Sequence, residues 1–232
     1  MRLDEAEFVS DQYASEDNLR ARQSIYAQQD GPNARDAAFE AIKATSPRRI
    51  LEVGGGQGEL AERLLRELDV RLTFVDQSER MVALARSRGI DARVGDVQRL
   101  ELPDGAFDTA VAAWMLYHLT DLDRGLRELA RVLEPGGRLV AVTNADDHLR
   151  ELRDVIGADF QSTFSRENGQ EALLRHFSSI ERTDLDGNVT IASADAVYAY
   201  RDSMIAAENR RELAFDLPLR ARTAVSIFVA SR

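Results

Sequence analysis

Three carboxylates and a run of glycines are the groups in this chain best placed to hold a ligand. In "ILEVGGGQGEL", residues 50–60, an apolar run meets three consecutive glycines, then Gly58, then helical spacing. Glu52 stands at the entrance. Asp76 follows the first glycine by about 20 residues, the offset at which a carboxylate meets both hydroxyls of a ribose. Asp96 stands in "GDV", after a further strand-like run. Glycine lets backbone pass close to a ligand, and a helix starting behind it aims free N–H groups at the same place. The dinucleotide fingerprint is G-x-G-x-x-G. Here Gly54, Gly56 and Gly58 give G-x-G-x-G, and Glu59 takes the place of the last fingerprint glycine. A carboxylate about 4 Å from a pyrophosphate is repelled by roughly 4 kcal/mol at an effective dielectric of ~20. Phosphate ligands are therefore disfavoured, and no P-loop lysine follows the glycines. The acids instead suit a ligand with hydroxyls, amines and positive charge. A nucleoside bearing an amino group and a sulfonium has that chemistry.

The histidines supply candidate bases. His118, in "MLYHL", follows a strand-like run and is the leading candidate for a general base; it could equally serve as a pocket wall. His148, in "NADDHLREL", is either a ligand-side group or the first turn of a helix. His176, in "LLRHF", reads as structural. Asn144, Asp146, Asp147 and His148 have the donor types for Mg²⁺ or Mn²⁺, but no metal is expected. Trp114, Tyr117, Phe160, Phe164 and Phe177 either line a pocket for a flat, partly apolar molecule or pack the core.

These groups need elements to hold them. "RRILEVG", "RLTFVDQ", "DARVGDV", "FDTAVAAWML" and "RLVAVTN" are short apolar strands. Between them lie amphipathic helices, one capped by Ser78 and stopped at Gly89, another ended by Pro135-Gly136-Gly137. The alternation predicts an α/β fold: a Rossmann-like, doubly wound sheet of seven strands, mainly parallel, with helices on both faces. "SSIERTDL" and "NVTIAS" form two short strands or one bent strand around Asp186-Gly187. "RTAVSIFVAS" forms an antiparallel last strand. Residues 1–46 predict an N-terminal helical cap, with a second helix starting at Pro32 or Asn33. Residues 47–232 form the main domain, with a lid insertion at about 145–178. The carboxyl ends of the strands should gather Glu52, Asp76 and Asp96 around one crevice.

Composition narrows the function. The 232 residues carry a formal net charge of −10, which disfavours nucleic acid and anionic membrane as partners. The absence of cysteine excludes thiolate nucleophiles, thiolate zinc sites and disulfides. No apolar stretch approaches ~18 residues and the start has no signal-like run, so a cytoplasmic protein is expected, as monomer or homodimer.

Residues 49–143 resemble the class I S-adenosylmethionine-dependent methyltransferases of the small bacterial "methyltransferase 11" type. The matching stretches, in order, are "LEVGGGQGEL", "FVDQSERMVALAR", "GDVQRLELPDGAFDTAV", "MLYHLTD" and "LRELARVLEPGGRLVAVT". The resemblance implies S-adenosyl-L-methionine as cofactor and S-adenosyl-L-homocysteine as product. It implies that Gly54, Gly55 and Gly56 carry the methionine part and that Glu52 holds its amino group. Asp76 would take the ribose hydroxyls, and Gln77 and Met81 would flank the adenine. Asp96, with the Val97 N–H, would meet the adenine amino group. Ala113 and Trp114 would lie beside the sulfonium. "YASEDNLRARQSIY" and "FSRENG" resemble flanks of a bacterial subset in which Tyr13 and Arg22 would close over the cofactor. That subset often has Asn-His where this chain has Ala113-Trp114, and metal-dependent relatives carry an extra acid there. The implied reaction transfers a methyl group to an O, N or C atom of a small molecule, in bacterial natural product biosynthesis. The alternatives are an RNA or protein methyltransferase, a non-catalytic binder of the same cofactor, and a nicotinamide oxidoreductase.

Overall fold

The computed structural model describes residues 21–205 and 212–232. Its sheet contains, in chain order, β1 (Gln29–Asp30), β2 (Arg49–Val53), β3 (Arg71–Asp76), β4 (Asp91–Val94), β5 (Phe107–Ala113), β6 (Leu133–Asn144), β7 (Ser179–Ile191) and β8 (Leu219–Ser231). They lie side by side as β1-β7-β8-β6-β5-β2-β3-β4. The five strands from β4 to β6 run parallel; β8 is antiparallel to both β6 and β7.

The expectation of seven strands is corrected to eight among the described residues. The addition is β1, an antiparallel partner of β7 within the segment expected to be a purely helical cap. Its two residues, Gln29 and Asp30, have no apolar pattern; pairing with the outer edge of β7 makes them a strand. β7 itself is one continuous strand through Asp186-Gly187.

Helices cover both faces. α1 (Ala34–Ala44), α2 (Glu59–Glu67) and α3 (Glu79–Ser87) cover one, where Phe39, Leu64 and Val82 meet Ile50, Phe74 and Val111. α4 (Leu122–Val132) covers the other, where Leu126 and Leu129 meet Leu51, Val53 and Ala112. β2 is therefore buried on both faces, with alternate residues in alternate layers. Glu52 has the parity of Ile50 and lies at the α1–α3 layer with almost no solvent exposure.

The helix starts follow local chemistry. The Asn33 side chain accepts from the Arg35 and Asp36 amides, Ser78 from Met81, and Asp121 from Arg124. Each satisfies N–H groups that the first turn leaves unpaired. Gly89, at φ +80°, closes α3. After β6 come α5 (Arg150–Ile156) and α6 (Gly169–Leu174), and α7 (Ala194–Met204) follows β7. Arg166 fixes the segment between α5 and α6 to the sheet, donating to Ser226 Oγ (2.8 Å), Asp186 Oδ1 (2.9 Å) and the Val225 carbonyl (2.9 Å). "FSRENG" therefore has a structural role. His176 also serves structure, its Nε2 lying 2.7 Å from Asp123 Oδ1 at the start of α4.

Candidate functional site

The glycine loop leaves β2 where parallel pairing ends. Gly54 N–H donates to the Val75 carbonyl at 2.8 Å, holding the loop against the end of β3. Gly54 and Gly56 have φ of +61° and +59°, a region costly for other residues. A side chain at Gly54 would strike Met115, whereas one at Gly56 would meet nothing within 4 Å. The backbone at Gly56 thus faces open space.

Two carboxylates support this loop. Asp76 Oδ2 accepts from the Gly56 amide at 3.3 Å and its Oδ1 from the Ser78 amide at 2.9 Å. Burial raises the Asp76 pKa, and the two amides act against that rise. Glu52 lies beneath, and its Oε2 is buried without a hydrogen-bond partner. Burial, followed by the charge of Asp76, pushes the Glu52 pKa up to about 8. An unsatisfied buried polar atom is costly and marks a place where a ligand group completes the bonding.

This corrects the expected electrostatics in two respects. Burial, with the charge of Asp76, favours a proton on Glu52 over a fixed negative charge. Glu59 does not face the loop, because it pairs with Arg35 at 2.7 Å on the surface. Asp96 lies beyond β4 and is exposed, with Oδ1 accepting from the Gln98 amide at 2.8 Å. Gly95 N–H donates to the Asp76 carbonyl, which ties the Asp96 turn to the end of β3. Met81 and Val97 are buried and Gln77 is exposed. Tyr13 lies outside the described residues.

On the other side of the loop, Ala113 ends β5 and Trp114 follows at φ +53°. This conformation is unusual for an aromatic residue and concentrates at functional sites. The Trp114 amide donates to the Val142 carbonyl (2.8 Å) and its indole N–H to Asn144 Oδ1 (3.2 Å). The next residue is Met115, which abuts Gly54, so this turn joins the glycine loop to a neighbouring cavity.

The cavity has a volume of about 510 Å³. Trp114, Tyr117, His118 and Phe160 contribute to its walls, as do Arg22 and Tyr26 from the N-terminal segment. Phe164 and Phe177 are buried in the core. His118 ends a short 3-10 turn, Leu116–His118, with its ring 4.5 Å from that of Tyr117. The loop group of Glu52, the glycines and Asp76 and the cavity group of Arg22, Trp114 and His118 are adjacent but distinct.

Sequence reasoning missed the cavity's most connected pair. The Tyr26 hydroxyl lies 2.9 Å from His148 Nε2, and His148 Nδ1 faces the Ala224 backbone in the middle of β8. Burial lowers the His148 pKa to about 4 and raises that of Tyr26. Tyr26 reads as one member of a weak apolar stripe, and Arg153, also on the cavity wall, carries no signal beyond a helical surface charge. Asp147 is engaged by Arg222, and no group of three or more His, Asp or Glu among the described residues is placed to hold a metal. No helix among them is long and apolar enough to cross a membrane.

Comparison with known proteins bears on this arrangement. Residues 51–141 match the family model described as "Methyltransferase domain". The chain is 41% identical over 113 residues to a demethylmenaquinone methyltransferase of Deinococcus radiodurans, covering 46% of each. It is 37% identical over 98 residues to a ubiquinone/menaquinone biosynthesis C-methyltransferase of Rubrivivax gelatinosus, covering 41% of this chain and 39% of that one. These matches span less than half the length of either relative. Among solved structures, the YcgJ protein of Bacillus subtilis superposes with a TM-score of 0.62 at 19% identity, covering 85% of this chain and 98% of that one. That likeness is one of fold.

Proposed function

We propose, from the match of residues 51–141 to the methyltransferase domain model, that the protein transfers a methyl group from S-adenosylmethionine to an O, N or C atom of a small molecule. The observation that carries this reading is the unpaired, buried Glu52 Oε2 beneath a bare glycine loop. A ligand ammonium supplies both the missing hydrogen bond and a compensating charge, whereas a pyrophosphate adds negative charge beside Glu52 and Asp76.

The residues present fit the cofactor. Gly54, Gly55 and Gly56 would bear its amino-acid part and Glu52 its amino group. Asp76, already oriented by two amides, would take the ribose hydroxyls. Met81 and Val97 would give the adenine an apolar floor, with Gln77 and Asp96 at its edge. Ala113 and Trp114 would stand between this site and the cavity, and Tyr13 and Arg22 would close it. When bound, the cofactor supplies an activated methyl group on a sulfonium.

The protein's own task is placement. The cavity walls would orient the acceptor, and fixed orientation is worth several kcal/mol of barrier. His118 would take a proton from the acceptor where one must leave. Residues 1–46 would act as a cap and 145–178 as a lid, since described residues of each, such as Arg22 and Tyr26 of the first and His148 and Phe160 of the second, contribute to the cavity wall. The net charge of −10 supports a small molecule over RNA. A role in bacterial natural product biosynthesis fits such an acceptor.

Calorimetric titration tests the reading. S-adenosylhomocysteine should bind and NAD⁺ should not, and Asp76→Asn should weaken the former at least tenfold. Tight NAD⁺ binding, or an Asp76 variant without effect, counts against it.

A further inference from the structure

Three arginines reach the cavity of an acidic protein. Among the described residues, Arg22, Arg35 and Arg153 line it, with Asp146 as the carboxylate beside them, although the whole chain carries −10. Arg35 is neutralised by Glu59. Arg153 is not: its Nη1 donates to the Asp146 carbonyl at 2.9 Å, its Nε is enclosed without a partner, and its guanidinium lies 5.7 Å from the Phe160 ring centre. No carboxylate among the described residues pairs with it. A partly enclosed, uncompensated cation favours an anion.

The tautomer of His148 adds a second donor. The N–H and C=O of Ala224 face the same side of β8, past the end of β6. The carbonyl accepts from Ala145 N–H at 2.9 Å and lies 3.1 Å from His148 Nδ1, while the N–H meets the same Nδ1 at 3.0 Å. A buried backbone N–H requires an acceptor. Because that carbonyl already accepts from Ala145, we assign Nδ1 as the acceptor for the Ala224 N–H, which puts the ring hydrogen on Nε2, toward Tyr26 Oη. Tyr26 oxygen accepts that bond, and the phenol's own hydrogen remains to be donated into the cavity, which Tyr26 lines. Burial keeps the phenol protonated and the imidazole neutral. Tyr26, His148 and Arg153 all line the one cavity, and the Arg153 charge helps to lower the basicity of His148.

We propose that the acceptor is held in this cavity through an oxyanion, gripped by the Tyr26 hydroxyl and the Arg153 guanidinium, with Phe160 and Trp114 as flat walls. The inference rests on the reading of the cavity as the acceptor site. It makes Tyr26 and Arg153 specificity-determining residues and disfavours cationic amine acceptors.

Trp114 is the chain's single tryptophan and lines the cavity, so its fluorescence reports occupancy. Titrations would use 4-hydroxybenzoate, phenyl phosphate and the near-isosteric neutral 4-hydroxybenzamide. At least one anion should saturate the signal and bind tenfold or more tightly than the amide; which one separates a planar carboxylate from a tetrahedral phosphate. Arg153→Met and Tyr26→Phe should each cut that preference threefold or more, with Arg153→Lys retaining part of it. Thermal midpoints and S-adenosylhomocysteine affinity serve as fold controls, and Arg153→Met suffices if Tyr26→Phe fails to fold. Equal binding of the amide, no saturable anion binding, or a preference that survives in the folded variants overturns the proposal. An intact anion preference without S-adenosylhomocysteine binding would instead sink the cofactor reading.

Discussion

Gly55 sits directly over Glu52: a side chain at residue 55 would fall on the Glu52 carboxylate and the Phe74 ring. The glycine there serves close packing, whereas Gly56 serves openness. Gly55→Ala should therefore destabilise the fold by roughly 1–3 kcal/mol through overpacking. Gly56→Ala should cost about 1–2 kcal/mol of backbone strain, yet weaken S-adenosylhomocysteine binding in proportion far more than stability. Urea denaturation and calorimetry on both variants separate the two effects. Equal loss of stability and of binding in both would show that the loop does not divide these roles.

Glu52 should make the ligand-free protein less stable as pH rises. Its folded pKa of about 8 lies above the ordinary carboxyl value of 4.5, so the native state keeps a proton that the unfolded state has released across that window. Stability then falls with pH from about 4.5 to about 8. Glu52→Gln should be the more stable form at pH 8, by roughly 2–5 kcal/mol at about 1.4 kcal/mol per unit, and level with the wild type near pH 4. A variant weaker than the wild type at pH 8 would contradict this assignment.

The same proton should leave when a cation arrives. At pH 7, binding of S-adenosylhomocysteine should release up to about one proton, read from calorimetry in buffers of different ionisation heat. Glu52→Gln should abolish the release, and a buffer-independent heat in the wild type would refute the pairing.

His148 acts with the opposite sign in pH. Its folded pKa of about 4 lies below the ordinary imidazole value of 6.5. The unfolded state gains a proton first as pH falls, so stability is full above about 6.5 and is lost towards pH 4. His148→Gln, which can still accept from Ala224 and donate to Tyr26, should remove roughly 2–3 kcal/mol of that acid sensitivity. Parallel pH–stability curves for the two proteins would exclude His148 as the source.

His118→Ala should lower turnover by about 10²–10⁴-fold with any acceptor whose nucleophile must lose a proton, leaving S-adenosylhomocysteine affinity within a few-fold. Unchanged turnover with such an acceptor would remove His118 from the chemistry.

What the sequence discloses follows from how local each determinant is. Strands β2 to β6 and the helices between them announce themselves, since apolar runs, the Ser78 cap and the Gly89 stop act within a few residues. The glycine loop with Glu52 and Asp76 is readable for the same reason. The protonation of Glu52 is not, because the layer of α1–α3 that buries it lies elsewhere in the chain. Tyr26 and His148 are 122 residues apart, and no periodicity links them. β1 becomes a strand because β7 is long enough to receive it, which Gln29 and Asp30 do not reveal. Arg153, on a helix with a polar face, looks like any solvated charge until its neighbours are known.

The position of β8 also bears on biosynthesis. It is hydrogen-bonded to β6 on one side and β7 on the other, yet it follows both in sequence. As the chain emerges from the ribosome, the parallel half through β6 can assemble early. β7, and β1 attached to it, must wait without a neighbour until β8 arrives to bridge them. Thr223 and Val225 of β8 also line the cavity. The nascent chain should therefore complete its glycine loop, with Glu52 and Asp76, before its cavity, and its edge strands should need protection from misassociation in the interval.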